Sequence, residues 1–321
     1  MDRKVLGPFR LAPWFSERPW GRLDLRPWYE ASGTTERVGE AWLTGTQCVV
    51  ETGALKGRTL AQAAAEEGAR LVGAREIKHG AGGEFPLLVK LLFPSDKLSV
   101  QVHPDDAMAG DLGEPRGKTE CWYVLEAEPG AAIALGLREG VTAEAVRAAV
   151  DGVHRVGMTM EELLEWVPVT VGEMVFVDAG TVHAIGPGVV LLETQQTSDT
   201  TYRLYDYGRG RELHLELGLR ALKLQTAAGK VQPRAMDGFV RLIEQKYFVV
   251  DRYDLAAGGE AIVPVGGAGC LVGLSGTAAV IGEGFDEVEL PVGRAVVVPV
   301  DCETVRVKSR AGASFIYCWA L

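Results

Sequence analysis

Cysteine and histidine are scarce in this chain, five of each in 321 residues. Cys48, Cys121, Cys270, Cys302 and Cys318 are scattered and form no CxxC pair, which excludes a zinc ribbon or a dithiol redox motif. An odd, dispersed set reads as buried free thiols in a reducing compartment. No apolar run approaches the ~18 residues needed to cross a bilayer. The stretch from Met1 to Trp14, with Arg3, Lys4 and Arg10, lacks the apolar segment of a signal peptide. A cytoplasmic protein without a membrane partner is expected. Positive charge is also short, 33 Lys+Arg against 43 Asp+Glu, a net charge of −10. Nucleic-acid binding needs a basic stripe, so no nucleic-acid partner is expected, and an anionic substrate would need a local basic pocket. No exposed apolar stripe is evident, which is compatible with a monomer.

What the chain has in quantity is apolar residues, 47%, and glycine, 40 residues. Short apolar runs alternate with turn residues, the pattern of a mainly β protein. Expected strands are Leu98 to His103, Cys121 to Glu126, Met174 to Asp178, Val189 to Thr194, Thr201 to Tyr207, Phe248 to Leu255, Cys270 to Leu274, Ala278 to Ile281, Ala295 to Val300 and Ser314 to Trp319. Expected helices are Thr59 to Glu67, Thr142 to Val150, Thr159 to Trp166 and Glu212 to Leu224. In the third, Thr159 and Glu162 form a capping box. In the fourth, Leu213, Leu217 and Leu224 line one side. Gln225 to Pro233 reads as a linker, which together with the length predicts two domains, 1–232 and 233–321, with a helical insert near 141–167. An internal echo supports related halves. Eleven residues after Gly172 stands His183, and eleven after Gly293 stands Thr304, each beyond a Val-rich strand.

Chemistry-bearing residues fall in four segments. In Leu98-Ser-Val-Gln-Val-His-Pro-Asp-Asp106, strand alternation puts Ser99, Gln101 and His103 on one face, which alone describes any amphipathic strand. In Gly117-Lys-Thr-Glu120, Glu120 opens an apolar strand with Lys118 two residues before it; a surface ion pair is the plainer explanation. In Asp178-Ala-Gly-Thr-Val-His183, a glycine turn aims His183 at the mouth of a barrel. Gln101, His103, Glu120 and His183 taken together suit Zn²⁺ with open coordination positions. In the fourth segment, Glu193 lies in an apolar strand and Arg203 ten residues on. Either burial suits Glu193 to proton transfer and Arg203 to an anion, or the two form a structural pair.

These segments resemble the type I mannose-6-phosphate isomerases, most closely their short bacterial form. Phe85-Pro-Leu-Leu-Val-Lys90, Leu98 to Asp106, Gly117 to Tyr123, Gly180 to Ala184, Leu192-Glu-Thr-Gln-Gln196 and Tyr202-Arg-Leu-Tyr-Asp206 carry the resemblance, with Gly39-Glu-Ala-Trp42 and Arg211-Glu-Leu-His214. It covers about residues 10 to 225 closely and the remainder loosely. It implies two cupin (jelly-roll) barrels, the second without metal, and a small helical insert. It implies one Zn²⁺ per chain on Gln101, His103, Glu120 and His183, and catalytic roles for Arg203, Glu193 and Lys118. It also implies phosphate contacts from Lys90, Ser99 and Arg209. The implied reaction is the interconversion of mannose 6-phosphate and fructose 6-phosphate through a cis-enediol, the proton carried by Glu193 or Lys118. Two departures stand out: Asp178 where many members have Pro, and Gly117 where longer members have His. A metal-dependent cupin oxygenase or decarboxylase, and a non-catalytic sugar-phosphate-binding bicupin, are the rival readings.

Overall fold

The computed structural model describes residues 5–30, 34–79, 83–150 and 159–321. The architecture is mainly β, two cupin barrels packed back to back. In the first barrel a seven-stranded sheet runs in the order Gly229–Val231, Met174–Val177, Glu120–Ala127, Val189–Gln196, Leu87–Leu92, Val38–Trp42, Trp14–Arg22. It faces a five-stranded sheet ordered Tyr202–Tyr205, Val100–Val102, His183–Ile185, Ala132–Leu137, Leu164–Pro168. In the second barrel the large sheet is built around Gly269–Gly276, Ala313–Ala320 and Phe248–Leu255, and the small one around Thr304–Lys308 and Ala278–Ile281. All the paired strands are antiparallel.

The two-residue period of a strand explains why the central strands read as unbroken apolar runs. Along Val189–Gln196, Val189 and Leu191 point into the first barrel among Trp122 and Ile133, and Glu193 follows them on that face. Val190 and Leu192 point outward and pack on Val250, Val272 and Ile316 of the second barrel. A strand buried on both faces needs apolar residues at every position except where chemistry intervenes. The outer face of the five-stranded sheet is covered by helices, with Val100, Val102 and Ala184 against Val146, Leu163 and Ala221.

Ser99, Gln101 and His103 therefore turn inward as the alternation requires. Leu98, however, joins the inner cluster with Trp122, because the strand begins only at Val100. Three local expectations change. The helix begun by the Thr159 capping box lasts one turn, Met160–Leu163. Leu164–Pro168 is a strand, fixed by pairing with Ala132–Leu137. The amphipathic stretch 212–224 is helical only over Leu215–Ala221, leaving Leu213 and Leu224 exposed. The stretch expected as a linker contains Gly229–Val231, which adds an edge strand beside Met174–Phe176. Part of the expected helical insert, 151–158, lies outside the described residues. All five cysteines are buried free thiols.

The internal echo has a structural counterpart. Gly172 and Gly293 both take positive φ, 91° and 70°, at turns that favour glycine. Each leads into a strand of a large sheet, Met174–Val177 or Ala295–Val298. Eleven residues on, each chain segment opens a strand of the small sheet, with His183 in one barrel and Thr304 in the other.

The chain does not keep its halves apart. Phe9–Leu11, at the start, pairs with Ala295–Val297 and forms the edge of the second barrel's large sheet. Phe9 is 2% exposed within the core between the barrels. Among the described residues no helix is long and apolar enough to cross a membrane. Phe9→Ala, far in sequence from the second barrel, should lower unfolding free energy by about 3–5 kcal/mol, as measured by urea denaturation.

Candidate active site

The open end of the first barrel is a cavity of roughly 420 Å³. Three elements bring His103, Glu120 and His183 together beside it, Glu120 within its lining and the two histidines outside that lining. His103 follows Val100–Val102, Glu120 opens the strand Glu120–Ala127, and His183 opens His183–Ile185. The loop of His183 is tied back to the first strand by the Gly180 N–H, which donates to the His103 carbonyl at 2.9 Å. Gln101 stands directly across from His183 and from Arg203 in the strand register.

The donor atoms of His103, Glu120 and His183 lie within 4.8 Å of one another, and all three residues are buried. His103 Nδ1 donates to the Thr200 carbonyl at 2.9 Å, and His183 Nδ1 donates to the Thr181 carbonyl at 2.9 Å. Those bonds fix each tautomer and leave Nε2 unprotonated, the acceptor that a metal requires. Burial pushes His183 down to about 4. It pushes His103 well below the ordinary imidazole value, aided by Lys118 and His183. Both rings are therefore neutral near pH 7, as ligands must be. Glu120 sits 3.6 Å from His103 Nε2 and 3.4 Å from His183 Nε2. Neither of its buried oxygens has a hydrogen-bond partner. Lys118 Nζ is 3.0 Å from one of them but out of hydrogen-bonding alignment. Buried carboxylate oxygens that accept no hydrogen bond are costly, and with two neutral imidazoles beside them they match the donor set of a divalent metal. Gln101 is adjacent: its Nε2 is 3.3 Å from His183 Nε2, and its Oε1 accepts from Ser99 Oγ at 3.1 Å. The residues present fit a divalent metal.

Around this trio lie the remaining charged groups. Lys118 Nζ is 3.0 Å from His103 Nε2. Glu193 accepts from Trp122 Nε1 at 3.2 Å and faces Lys90 Nζ at 3.4 Å. Burial raises the Glu193 carboxyl above its usual range, reinforced by Glu120, while Lys90 and Lys118 pull it back. Burial alone would lower Lys90, but Glu193, Glu40 and Asp199 outweigh it and hold the ammonium protonated. Arg203 is half-buried and lines the cavity. Its Nη1 donates to the Glu212 carbonyl at 2.8 Å, and its buried Nε has no partner. Ser99 and Lys90 also line the cavity. Arg209 is not in the lining: its guanidinium donates to Asp96 and to the Lys97 carbonyl at 2.6 and 2.9 Å.

Sequence reasoning assigned no role to Arg18 or Arg211, both of which line the cavity, nor to Glu40 and Asp199. Arg18 pairs with Glu40 at 3.1 Å, and Arg211 Nε donates to Asp206 at 2.8 Å. The available signal lay in two matching segments left without a role, Gly39 to Trp42 and Arg211 to His214. The lining has five cations, Arg18, Lys90, Lys118, Arg203 and Arg211. Five anions balance them: Glu17, Glu40, Glu120, Glu193 and Asp199.

A family model, the catalytic domain of type I phosphomannose isomerase, matches residues 9–142. That span includes Gln101, His103 and Glu120 but ends before His183. The chain is 37% identical over 265 residues to the mannose-6-phosphate isomerase ManA of Bacillus subtilis (strain 168), across 78% of this chain and 80% of that one. It is 39% identical over 231 residues to the mannose-6-phosphate isomerase of Streptococcus mutans serotype c (strain ATCC 700610 / UA159), across 68% of each. The crystal structure of the mannose 6-phosphate isomerase from Bacillus subtilis superposes with a TM-score of 0.82 at 29% identity, over 97% of this chain and 99% of that one. Glu120→Gln should weaken divalent metal binding at least ~10-fold, the scale of a lost ligand interaction. Competition with a chromogenic chelator would measure it.

Proposed function

The chain belongs to the type I phosphomannose isomerase family, and from that premise we propose that it interconverts mannose 6-phosphate and fructose 6-phosphate as a zinc-dependent enzyme, through a cis-enediol. The observation that carries the metal assignment is the buried Glu120 carboxylate, which accepts no hydrogen bond, beside two neutral imidazoles. His103, Glu120 and His183 would hold the ion, with Gln101 beside them. When bound, Zn²⁺ supplies Lewis-acid polarisation of the sugar oxygens and a net positive charge to a lining whose own charges cancel.

The chain's own groups do the rest. Isomerisation moves a proton between C2 and C1 and shifts negative charge onto oxygen. The unpartnered Arg203 Nε, next to the ligand strand, is placed to receive that charge by a charge-assisted hydrogen bond. Glu193, its carboxyl raised by burial, and Lys118, beside the ligands, are the two groups suited to carry the proton. Trp122 and Lys90 hold Glu193 in place.

At the phosphate end, Ser99 and Lys90 lie inside the cavity, and Lys90 meets a ligand only in competition with three carboxylates. Arg209 acts behind the cavity: Asp206 lies 3.4 Å from it and also holds Arg211, which is in the lining. Holding the phosphate there would orient the reacting carbons over the metal ligands. Residues 1–232 are the catalytic unit in this reading, and 233–321 the metal-free barrel.

A coupled assay of fructose 6-phosphate formation from mannose 6-phosphate should lose its signal on chelation and regain it with Zn²⁺. A metal-replete protein without turnover would instead favour the sugar-phosphate-binding reading. Arg203→Ala should lower kcat by ~100-fold or more, the scale of a lost donor to a developing anion, with a smaller change in KM. Unchanged kcat would remove Arg203 from the chemistry.

A further inference from the structure

Lys118 and Glu120 follow a short segment that belongs to no sheet ladder until Glu120. Three consecutive amides of that segment are nonetheless each held by a defined acceptor. Gly117 N–H donates to Asp106 Oδ1 at 3.0 Å. Lys118 N–H donates to the Pro104 carbonyl at 2.9 Å. Thr119 N–H donates to Gln196 Oε1 at 3.0 Å. The Gln196 amide is itself oriented, because its Nε2 donates to the same Asp106 Oδ1 at 3.0 Å. A Cβ on Gly117 would meet the Asp105 carbonyl carbon at 2.5 Å and the Asp106 nitrogen at 2.6 Å, so the segment lies flat on the turn that follows His103. Neither Asp106 nor Gln196 lines the cavity. The other Asp106 oxygen accepts from Tyr247 Oη at 2.6 Å, and Tyr247 belongs to the second barrel, just before Phe248–Leu255.

We propose that Asp106 is a positioning residue for the active site, and that Tyr247 makes the second barrel a part of that positioning. One carboxylate joins the turn after His103, the segment carrying Lys118 and Glu120, the end of the strand carrying Glu193, and the neighbouring barrel. It fixes the placement of Lys118 and Glu120 against His103 without touching substrate. Displacements of ~1 Å in such groups cost on the order of 100-fold in rate, so a residue outside the cavity is felt at the reacting atoms. The kinetic part of this proposal rests on the isomerase reading above, and the metal-affinity part does not.

The test compares Asp106→Ala, Asp106→Asn and Tyr247→Phe in the full chain, each measured for kcat, KM, Zn²⁺ affinity by chelator competition, and Tm. Asp106→Ala should lower kcat ~10- to 100-fold with KM within ~2-fold and should weaken Zn²⁺ binding. Asp106→Asn keeps the Oδ1 acceptor and should recover most of both. Tyr247→Phe, which removes the hydrogen bond to Asp106 and the one Tyr247 Oη accepts from Lys246 Nζ, should lower kcat by a few-fold with Zn²⁺ affinity less affected. Wild-type kcat and Zn²⁺ affinity in Asp106→Ala would overturn the proposal, as would an Asp106→Asn variant as impaired as Asp106→Ala. A chain inactive even as wild type would refute the isomerase reading, leaving Zn²⁺ affinity to decide the role of Asp106.

Discussion

Glu120 is 1% exposed, and its nearest cation is Lys118, with Nζ at 3.0 Å. A charge taken out of water costs several kcal/mol unless opposite charges and donors replace the solvent. Glu40, Glu193, Lys90 and Lys118 share that condition within the same barrel, each below 10% exposure. The interior therefore cannot be assembled one residue at a time: each carboxylate is tolerable because an ammonium faces it. Removing one partner leaves the other stranded. This interdependence is the reason the site draws on so many elements, and why its groups are locked by backbone carbonyls and by Trp122.

The rigidity of that site is supplied from both sides of one sheet. Residues of even and odd number along Val189–Gln196 serve different barrels, so the wall bearing Glu193 is also the wall against which Val250 and Ile316 pack. Thr194, next to Glu193, reaches across to Cys318 at 3.2 Å. The second barrel is thus a buttress for the wall that bears Glu193. Its own position equivalent to the buried His183 is the exposed Thr304, free of the constraints that burial imposes.

The sequence disclosed the parts of the site that follow from local periodicity. Strand alternation is a property of consecutive residues, so the inward face of Ser99, Gln101 and His103 was readable, as were Glu193 in its apolar strand and the glycine turn before His183. What escaped was set by pairing over long distance. The strand Leu164–Pro168 carries a helix-start signal immediately before it, and only its partner Ala132–Leu137 decides its state. Gly229–Val231 is polar enough to read as a linker and becomes a strand because an edge was available. Arg18 and Arg211 reach the cavity from segments far apart in sequence, and nothing next to Arg18 in sequence marks that convergence. The placement of Arg209 outside the lining depends on Asp96, more than a hundred residues away in sequence.

The pairing of Phe9–Leu11 with Ala295–Val297 has a consequence for how the molecule comes into being. A ribosome adds about 5–20 residues each second, so the first strand waits on the order of 15–60 s before its neighbour has been made. During that interval Phe9 and Leu11, which end up within the inter-barrel core, have early neighbours such as Val50 but lack the second barrel's side of that cover. The wall carrying Glu193 likewise has no second barrel to lean on until Phe248–Leu255 and Ala313–Ala320 have been made. Ordering of that wall is therefore coupled to the arrival of the second barrel's strands, and a nascent chain halted before Phe248–Leu255 would hold His103, Glu120 and His183 without the scaffold packed behind them.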